Sequence, residues 1–167
     1  MKGKLGQIGF VLTKTNWLSK VISWFLQSPY SHAFLVINET ETIETGSDIV
    51  HIDSVIDHTT NPDKACEVYE PIYLLECEGI SIEKRARELI GVRYGYIKFA
   101  YCAVQLLLKR IGIKIDMNVP GVLCDDVPAI AYADTLFDEV KDVRKNTEEL
   151  RQILIASPKW KLVFKKE

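Results

Sequence analysis

The sequence predicts a single α+β domain, residues 1–167, in which an antiparallel sheet packs against helices. The chain has 167 residues, which suits one compact domain with its own core. Strand-like and helix-like segments are partly segregated along the chain, and this arrangement is typical of α+β proteins. No repeat, low-complexity tract or linker rich in Pro, Gly and Ser divides the chain.

Short runs of β-type residues predict the strands of the sheet. These runs are Leu5–Leu12, His32–Ile37, Glu41–Thr45, Asp48–Val55 and Glu67–Glu76. Asn38 and Glu39 form a turn between two of them, which predicts a β-hairpin. A last strand is predicted near the C-terminus, where Trp160, Leu162 and Phe164 alternate with other residues.

A first helix is predicted after the first strand, capped by Thr15 or Asn16 and ended by Pro29. Its large apolar residues recur at helical spacing, and such a stripe normally faces the core. The stripe consists of Trp17, Val21, Trp24 and Phe25.

The remaining helices lie in the second half of the chain. One runs from Ser81 to Ile90, with Ser81 as its N-cap, and a second from about Ile97 to Arg110. A third begins near Cys124, and Thr147–Ile155 is a candidate fourth.

Composition and charge limit the classes of partner. Hydrophobic residues make up 47% and charged residues 26%, and the formal net charge is -2. This balance does not predict binding to the phosphate backbone, so nucleic acid is not an expected partner. No run approaches the about 18 apolar residues that suggest a transmembrane helix. No signal peptide is recognisable, which predicts a cytoplasmic protein; later release, or packaging in a virus particle, stays open.

The cysteines and histidines do not predict a metal site or a cofactor. The four cysteines are Cys66, Cys77, Cys102 and Cys124, and no two of them form a C-x-x-C pair. A quartet of His51, His58, Cys66 and Cys77 matches none of the common zinc spacings. Disulfides are not expected in a reducing compartment.

Cys124 is the candidate nucleophile. It follows a turn and precedes a helical segment, where the helix dipole favours the thiolate and backbone N–H groups can bind an oxyanion. Asp125 and Asp126 oppose thiolate formation by their charge. A buried structural cysteine before an acidic helix start is an equal alternative on local sequence alone.

His32 is the candidate base, and Glu44 its candidate carboxylate partner. If the hairpin turn centres on Asn38, both residues lie six positions from it. They would then face each other across the two strands, close enough for the carboxylate to orient the imidazole. A register uncertain by one or two residues would place Thr42 or Gly46 opposite His32 instead. A histidine at the mouth of an apolar strand is also commonly a structural residue.

Several segments resemble, in order and spacing, the circularly permuted branch of the NlpC-type papain-like cysteine peptidases, in which histidine precedes cysteine. They are residues 6–11 (GQIGFV), 29–36 (PYSHAFLV), 91–96 (GVRYGY) and 123–127 (LCDDV). The resemblance spans about Gly6 to Ala133. Asp125 departs from the family pattern, which has Ser or Thr there. Pro128 would leave Cys124 in the turn before the helix.

The resemblance implies a permuted papain-like fold and a cysteine hydrolase of an amide or ester bond. Cys124 would attack through a thioester, with His32 as base and Glu44 as the third member of a triad. Tyr30, Tyr94 and Asp125 would line the substrate cleft. The implied substrate is a peptide, a cell-wall (peptidoglycan) peptide amide or an acyl lipid.

Two alternatives remain open. One is a catalytically silent binding or structural module on the same fold, suggested by Asp125. The other is a lipid acyltransferase or thioesterase, suggested by the aromatic helix with Trp17 and Trp24. The oligomeric state is not predicted.

Overall fold

The computed structural model describes residues 1–46, 48–110, 112, 121–142 and 145–167. Its strands are β1 (Ile8–Thr13), β2 (His32–Val36), β3 (Glu41–Thr45), β4 (Val50–Ser54), β5 (Lys64–Pro71) and β6 (Trp160–Lys166). Its helices are α1 (Trp17–Leu26), α2 (Val55–Thr60), α3 (Glu76–Glu88), α4 (Tyr96–Arg110), α5 (Asp126–Ala131) and α6 (Thr147–Ala156). The six strands form one sheet in the order β4-β3-β2-β1-β5-β6, and every neighbouring pair is antiparallel. The predicted α+β class and antiparallel sheet are therefore confirmed.

The core lies on both faces of the central strands. Successive residues of a strand point to opposite faces, so β1 contributes Phe10 to one apolar cluster and Val11 to the other. The larger cluster includes Leu35 of β2 and Tyr132 after α5, while the smaller one includes Phe34 of β2. Helices therefore cover a sheet whose middle strands are buried on both sides.

Most predicted elements are present, with some different bounds. The cap of α1 is Asn16, whose side chain accepts a hydrogen bond from the Leu18 N–H at 2.9 Å. Helix α3 begins at Glu76 and not at Ser81, because the Glu78 carboxylate accepts from the Leu75 N–H at 3.1 Å and stabilises the earlier start.

Helix α2 is not among the predicted helices, and its first residue falls at the end of the predicted strand Asp48–Val55. Its N-cap is Ser54, whose hydroxyl accepts from the Asp57 N–H at 3.4 Å. This pattern of Ser three residues before Asp is a recognisable start signal for a helix.

The prediction that the apolar stripe of α1 faces the core is wrong. Trp17 is 73% exposed, Trp24 is 71% exposed and Val21 is also exposed. The buried residue of this helix is Ser19.

Helix α5 begins at Asp126, so Cys124 lies in the turn before it. Pro128 is the third residue of the helix. The first N–H groups of a helix have no acceptor within it, so a proline is tolerated at that point. The expectation that Pro128 leaves Cys124 in the turn before the helix is therefore confirmed. Among the described residues, no helix is long and apolar enough to cross a bilayer.

Candidate active site

The β2–β3 hairpin brings His32 and Glu44 together. Leu35 pairs with Ile43 and Val36 with Thr42, so the register differs by two residues from a turn centred on Asn38. An even shift keeps side chains on the same face, and diagonal neighbours remain within reach of long side chains. His32 Nε2–H therefore donates to Glu44 Oε2 at 2.7 Å, although the two residues are not directly opposite.

The Glu44 carboxylate is buried, with 4% of the residue exposed, and binds two histidines. Its second oxygen, Oε1, accepts from His58 Nε2 at 3.2 Å. Burial alone would raise the pKa of Glu44, but the charge of His32 and the two hydrogen bonds hold it well below its usual range. Glu44 is therefore an ionised carboxylate in a fixed position.

Cys124 lies close enough to His32 for its charge to raise the pKa of the imidazole. Burial by itself would lower the pKa of His32, but the charges of Glu44 and of the Cys124 thiolate raise it to about 10. The thiol also lies 3.6 Å from Asp125 Oδ1 and 3.7 Å from Thr147 Oγ1. The imidazole therefore interacts with both the Glu44 carboxylate and Cys124.

The two aspartates after Cys124 oppose the thiolate less than their formal charges suggest. Burial and the neighbouring Asp126 raise the pKa of Asp125 to about 7, so this carboxyl is partly protonated at neutral pH. Asp126 Oδ2 accepts from Lys98 Nζ and from the Leu123 N–H, each at 2.6 Å. Lys98 therefore compensates part of the negative charge next to Cys124.

A close backbone contact between two glycines joins the Tyr94 segment to the Cys124 segment. The Gly95 N–H donates to the Val122 carbonyl at 3.1 Å. A Cβ atom on Gly121 would lie 2.4 Å from the Gly95 Cα, so no larger residue fits there without movement. Burial, followed by the charge of Cys124, raises the pKa of Tyr94, which places this phenol near the thiol.

Tyr30 does not line an open cleft. It is buried in the larger core cluster, where its ring lies 6.4 Å from that of Phe10 and the Arg151 guanidinium lies 5.4 Å from its centre. The structure thus places Tyr94 and Asp125 near Cys124 but packs Tyr30 in the interior, because Tyr30 lies two residues before β2 and is covered along with that buried strand.

The other cysteines lie in different surroundings. Burial raises the pKa of Cys66 to about 12 and also raises that of Cys102. Cys77 is exposed. Of the four, Cys124 is the one placed against a histidine that is itself bound to a carboxylate.

Sequence reasoning missed a second cluster next to Glu44. Ligand atoms of Glu44, Asp53 and His58 lie within 4.8 Å of one another. Burial and the nearby Glu44 carboxylate raise the pKa of Asp53. Lys64 Nζ lies 3.2 Å from His58 Nδ1. Of the quartet considered for zinc, His58 alone belongs to this group; recognising α2 from its Ser54 cap would have shown that His58 points inward.

Comparison with known proteins shows a shared fold. A crystal structure of the metalloprotein yiiX from Escherichia coli O157:H7, described as DUF1105, matches this chain with a TM-score of 0.57 at 14% sequence identity. The match covers 99% of each chain. No family model matches the sequence, and no curated protein matches it either.

These findings correct the family assignment made from the sequence. The chain was expected to belong to the permuted NlpC-type papain-like peptidases, but no family model matches, and the protein of like fold is described as a DUF1105 metalloprotein. The short motifs behind the assignment are each weakly specific, and such motifs arise by chance in strand and helix starts. The predicted α+β architecture is confirmed, and the predicted family is wrong.

Proposed function

We propose that this chain is a cysteine-dependent hydrolase that cleaves an amide or ester bond through a thioester. The observation that supports it is the His32 ring, which is bound to Glu44 at 2.7 Å and lies beside the Cys124 thiol. Hydrolysis by a cysteine nucleophile requires this arrangement, in which a base lies next to the nucleophile and a carboxylate orients the base.

The proposed mechanism assigns one task to each side chain. Glu44 accepts from Nε2–H of His32, which leaves Nδ1 to take the thiol proton. The Cys124 sulfur then attacks the acyl carbon, and its electrons form the carbon–sulfur bond. His32 returns the proton to the leaving amine or alcohol, and a thioester remains. Water, deprotonated by His32, attacks the thioester and releases the acid and the thiol.

Backbone N–H groups near Cys124 would stabilise the oxyanion. Within the described part of the chain, the Cys124 N–H donates to no protein acceptor, whereas the Leu123 N–H is taken by Asp126. One such donor contributes about 3 kcal/mol in studied enzymes. Helix α5 has six residues, so the ion pair with His32, and not a helix dipole, is the main support of the thiolate.

The proposed chemistry defines the substrate class only as a compound with an acyl group bound to nitrogen or oxygen. The family resemblance implied a peptidoglycan amide as the substrate. Because that family assignment is wrong, no observation favours peptidoglycan over other amides and esters. A lipid ester or thioester remains a candidate because of the exposed aromatic residues of α1.

Alkylation of the cysteines in the full chain tests the proposal. Iodoacetamide is added over a series of pH values, and peptide mass spectrometry gives the rate at each cysteine. Near pH about 6, well below the about 8.5 of an ordinary thiol, Cys124 is expected to react about tenfold faster than the exposed Cys77. Cys77 is the internal control because it samples the same solution without a histidine partner.

The variants His32→Ala and Glu44→Gln separate the triad from a structural cysteine. Both should slow Cys124 and leave Cys77 unchanged. A Cys124 that reacts no faster than Cys77, with a rate that His32→Ala does not change, would refute the hydrolase and favour a silent module on this fold. Hydrolysis of p-nitrophenyl esters, lost in Cys124→Ala, is the matching activity measurement.

A metal centre at Glu44, Asp53 and His58 is a second candidate function. Their ligand atoms lie within 4.8 Å, and the protein of like fold is called a metalloprotein. Two carboxylates and an imidazole are suitable ligands for zinc or manganese. Against this, Glu44 already binds both His32 and His58, and the Lys64 ammonium lies beside His58 and would repel a cation. The hydrolase is therefore the better supported of the two.

The two functions compete for Glu44, so one titration distinguishes them. Zn²⁺ or Mn²⁺ is added to metal-free protein, and binding is followed by calorimetry in the native chain and in Asp53→Asn. A metal centre predicts stoichiometric binding that Asp53→Asn weakens. The hydrolase predicts no such binding and an alkylation rate at Cys124 that does not depend on the metal.

A further inference from the structure

Helix α1 is oriented with its apolar side chains outward. Trp17, Val21 and Trp24 are separated by four and three residues, so they lie on one side of the helix, and all are exposed. The inward side carries Ser19, whose hydroxyl lies 2.5 Å from that of Ser31. An isolated exposed apolar residue is ordinary, but a stripe of this kind on a helix marks a contact surface.

Polar contacts hold the helix in this orientation. Ser19 Oγ also accepts from the Thr13 N–H at 3.2 Å, and the Ser23 hydroxyl donates to the Ser28 carbonyl at 2.5 Å. Thr13 ends β1, and the Asn16 cap fixes the first turn. The outward position of the tryptophans is therefore built into the attachment of α1 to the sheet.

The segment that carries α1 is positively charged. Residues 14–27 include Lys14 and Lys20 and no aspartate or glutamate, whereas the whole chain has a net charge of -2. Lys20 and Trp24 line one groove, together with Leu12 and Ser28. A lysine beside outward tryptophans is complementary to an anionic headgroup above an apolar layer.

From these observations we propose that α1 docks this protein onto the surface of an anionic lipid membrane. Trp17, Val21 and Trp24 enter the interfacial layer, and Lys14 and Lys20 contact lipid phosphates. A helix of ten residues is about 15 Å long, too short to span a bilayer, so it lies in the plane of the surface. A lipid surface fits better than a protein partner because tryptophan and lysine on one short helix are the combination that membrane interfaces select.

Docking would place the candidate active site near the lipid. The first turn of α1 follows Thr13, the last residue of β1, and His32 pairs with Val11 at the same end of that strand. Ser31, which binds Ser19, is the residue before His32. The docking surface and the candidate base therefore share one end of the sheet.

Vesicle binding tests the proposal with the full chain. Sedimentation is measured with vesicles of phosphatidylcholine alone and of phosphatidylcholine mixed with phosphatidylglycerol. Binding to the mixed vesicles is expected, weaker on the neutral ones and weaker at high salt. Replacing both tryptophans, Trp17→Ala with Trp24→Ala, should lower binding about tenfold or more, because each buries a large apolar area.

A matched control is Tyr73→Ala. Tyr73 is 86% exposed and follows β5, beyond the end of the sheet where Tyr69 pairs with Ile8, so it lies far from α1. This variant should bind as the native chain does. Lys20→Glu should weaken binding to the mixed vesicles specifically. Cys124→Ala should bind vesicles as the native chain does, so that a negative result for lipid docking can be distinguished from a negative result for the proposed hydrolase.

Tryptophan fluorescence gives a second measurement that does not depend on the stability of variants in α1. The chain has three tryptophans, and Trp160 is 6% exposed in the core. In Trp160→Phe the emission comes from α1, and it should shift to shorter wavelength and be quenched by brominated lipid in the mixed vesicles. Absence of quenching, or a shift that depends on protein concentration without lipid, would refute lipid docking and favour a second copy as the occupant.

Discussion

At the scale of single residues, the candidate site depends on the surroundings of His32. Its ring is hydrogen-bonded to the Glu44 carboxylate and interacts with the charge of Cys124. The charges of Glu44 and the Cys124 thiolate outweigh burial and raise its pKa from 6.5 to about 10. The ring therefore stays protonated across the neutral range.

The raised pKa of His32 determines how the stability of the fold changes with pH. Because the pKa of His32 is higher in the folded state, its contribution is fully present below pH 6.5 and is lost as pH rises through about 10. NMR titration of the ring nitrogens should show a raised pKa in the native chain. Cys124→Ala should lower this pKa, because the thiolate charge is removed. A native His32 that titrates near 6.5 would contradict the ion pair.

Recognition of these residues from the sequence was partly successful. The hairpin argument brought Glu44 to His32, and the even register shift preserved the result. The hairpin argument gives no sign of His58, because His58 lies on α2, over which no helix is predicted. The catalytic roles of Cys124, His32 and Glu44 remain predictions.

At the scale of elements, a close backbone contact helps to hold the turn before α5, in addition to the hydrogen bond from the Leu123 N–H to the Asp126 side chain. Gly121 has a φ of +122°, and its Cα faces Gly95 at a distance that admits no Cβ. An isolated β-bridge between Tyr94 and Val122 continues this contact. The segment that carries Cys124 is therefore positioned by the turn before α4.

Gly121→Ala should disturb this turn. The substitution combines an unfavourable φ with a clash at 2.4 Å, and we expect a loss of about 3 kcal/mol in the free energy of unfolding and slower alkylation of Cys124. Gly91→Ala is the matched control, because its φ is +85° but a Cβ there meets nothing within 4 Å. It should lose about 1 kcal/mol and leave the alkylation rate unchanged. Equal effects of the two variants on Cys124 would contradict a role for the glycine contact.

At the scale of the whole molecule, a buried ion pair connects the C-terminal helix to the sheet. Arg151 of α6 donates from Nε to Glu67 Oε2 of β5 at 2.9 Å, across 84 residues of sequence. Tyr69 donates to the same oxygen at 3.0 Å, and Lys165 Nζ lies 3.4 Å from Oε1. Burial would raise the pKa of Glu67, but these partners lower it.

Removing Arg151 should leave the buried Glu67 carboxylate without its main ion-pair partner and destabilise the fold. Arg151→Met is expected to lower the free energy of unfolding by about 3–5 kcal/mol at neutral pH, measured by chemical denaturation. Glu67→Gln added to Arg151→Met should restore part of the loss. Because the pKa of Glu67 is lowered in the native chain, the stability that the pair supplies is present above pH 4.5 and decreases on acidification. An Arg151→Met variant as stable as the native chain would show that solvent already screens the pair.

The sequence by itself determined most of the elements and which side chains of a strand or helix share a face. The periods of two and 3.6 residues identified the strands, the main helices and the shared face of His32 and Glu44, because these are local properties of the backbone. It did not determine whether a face is covered. The stripe of α1 has the spacing of a core face, yet Trp17 and Trp24 point outward because Ser19 binds Ser31. The meeting of Cys124 with His32 was likewise decided only by the packing of distant segments, since local patterns carry no information about which ends of the elements come together.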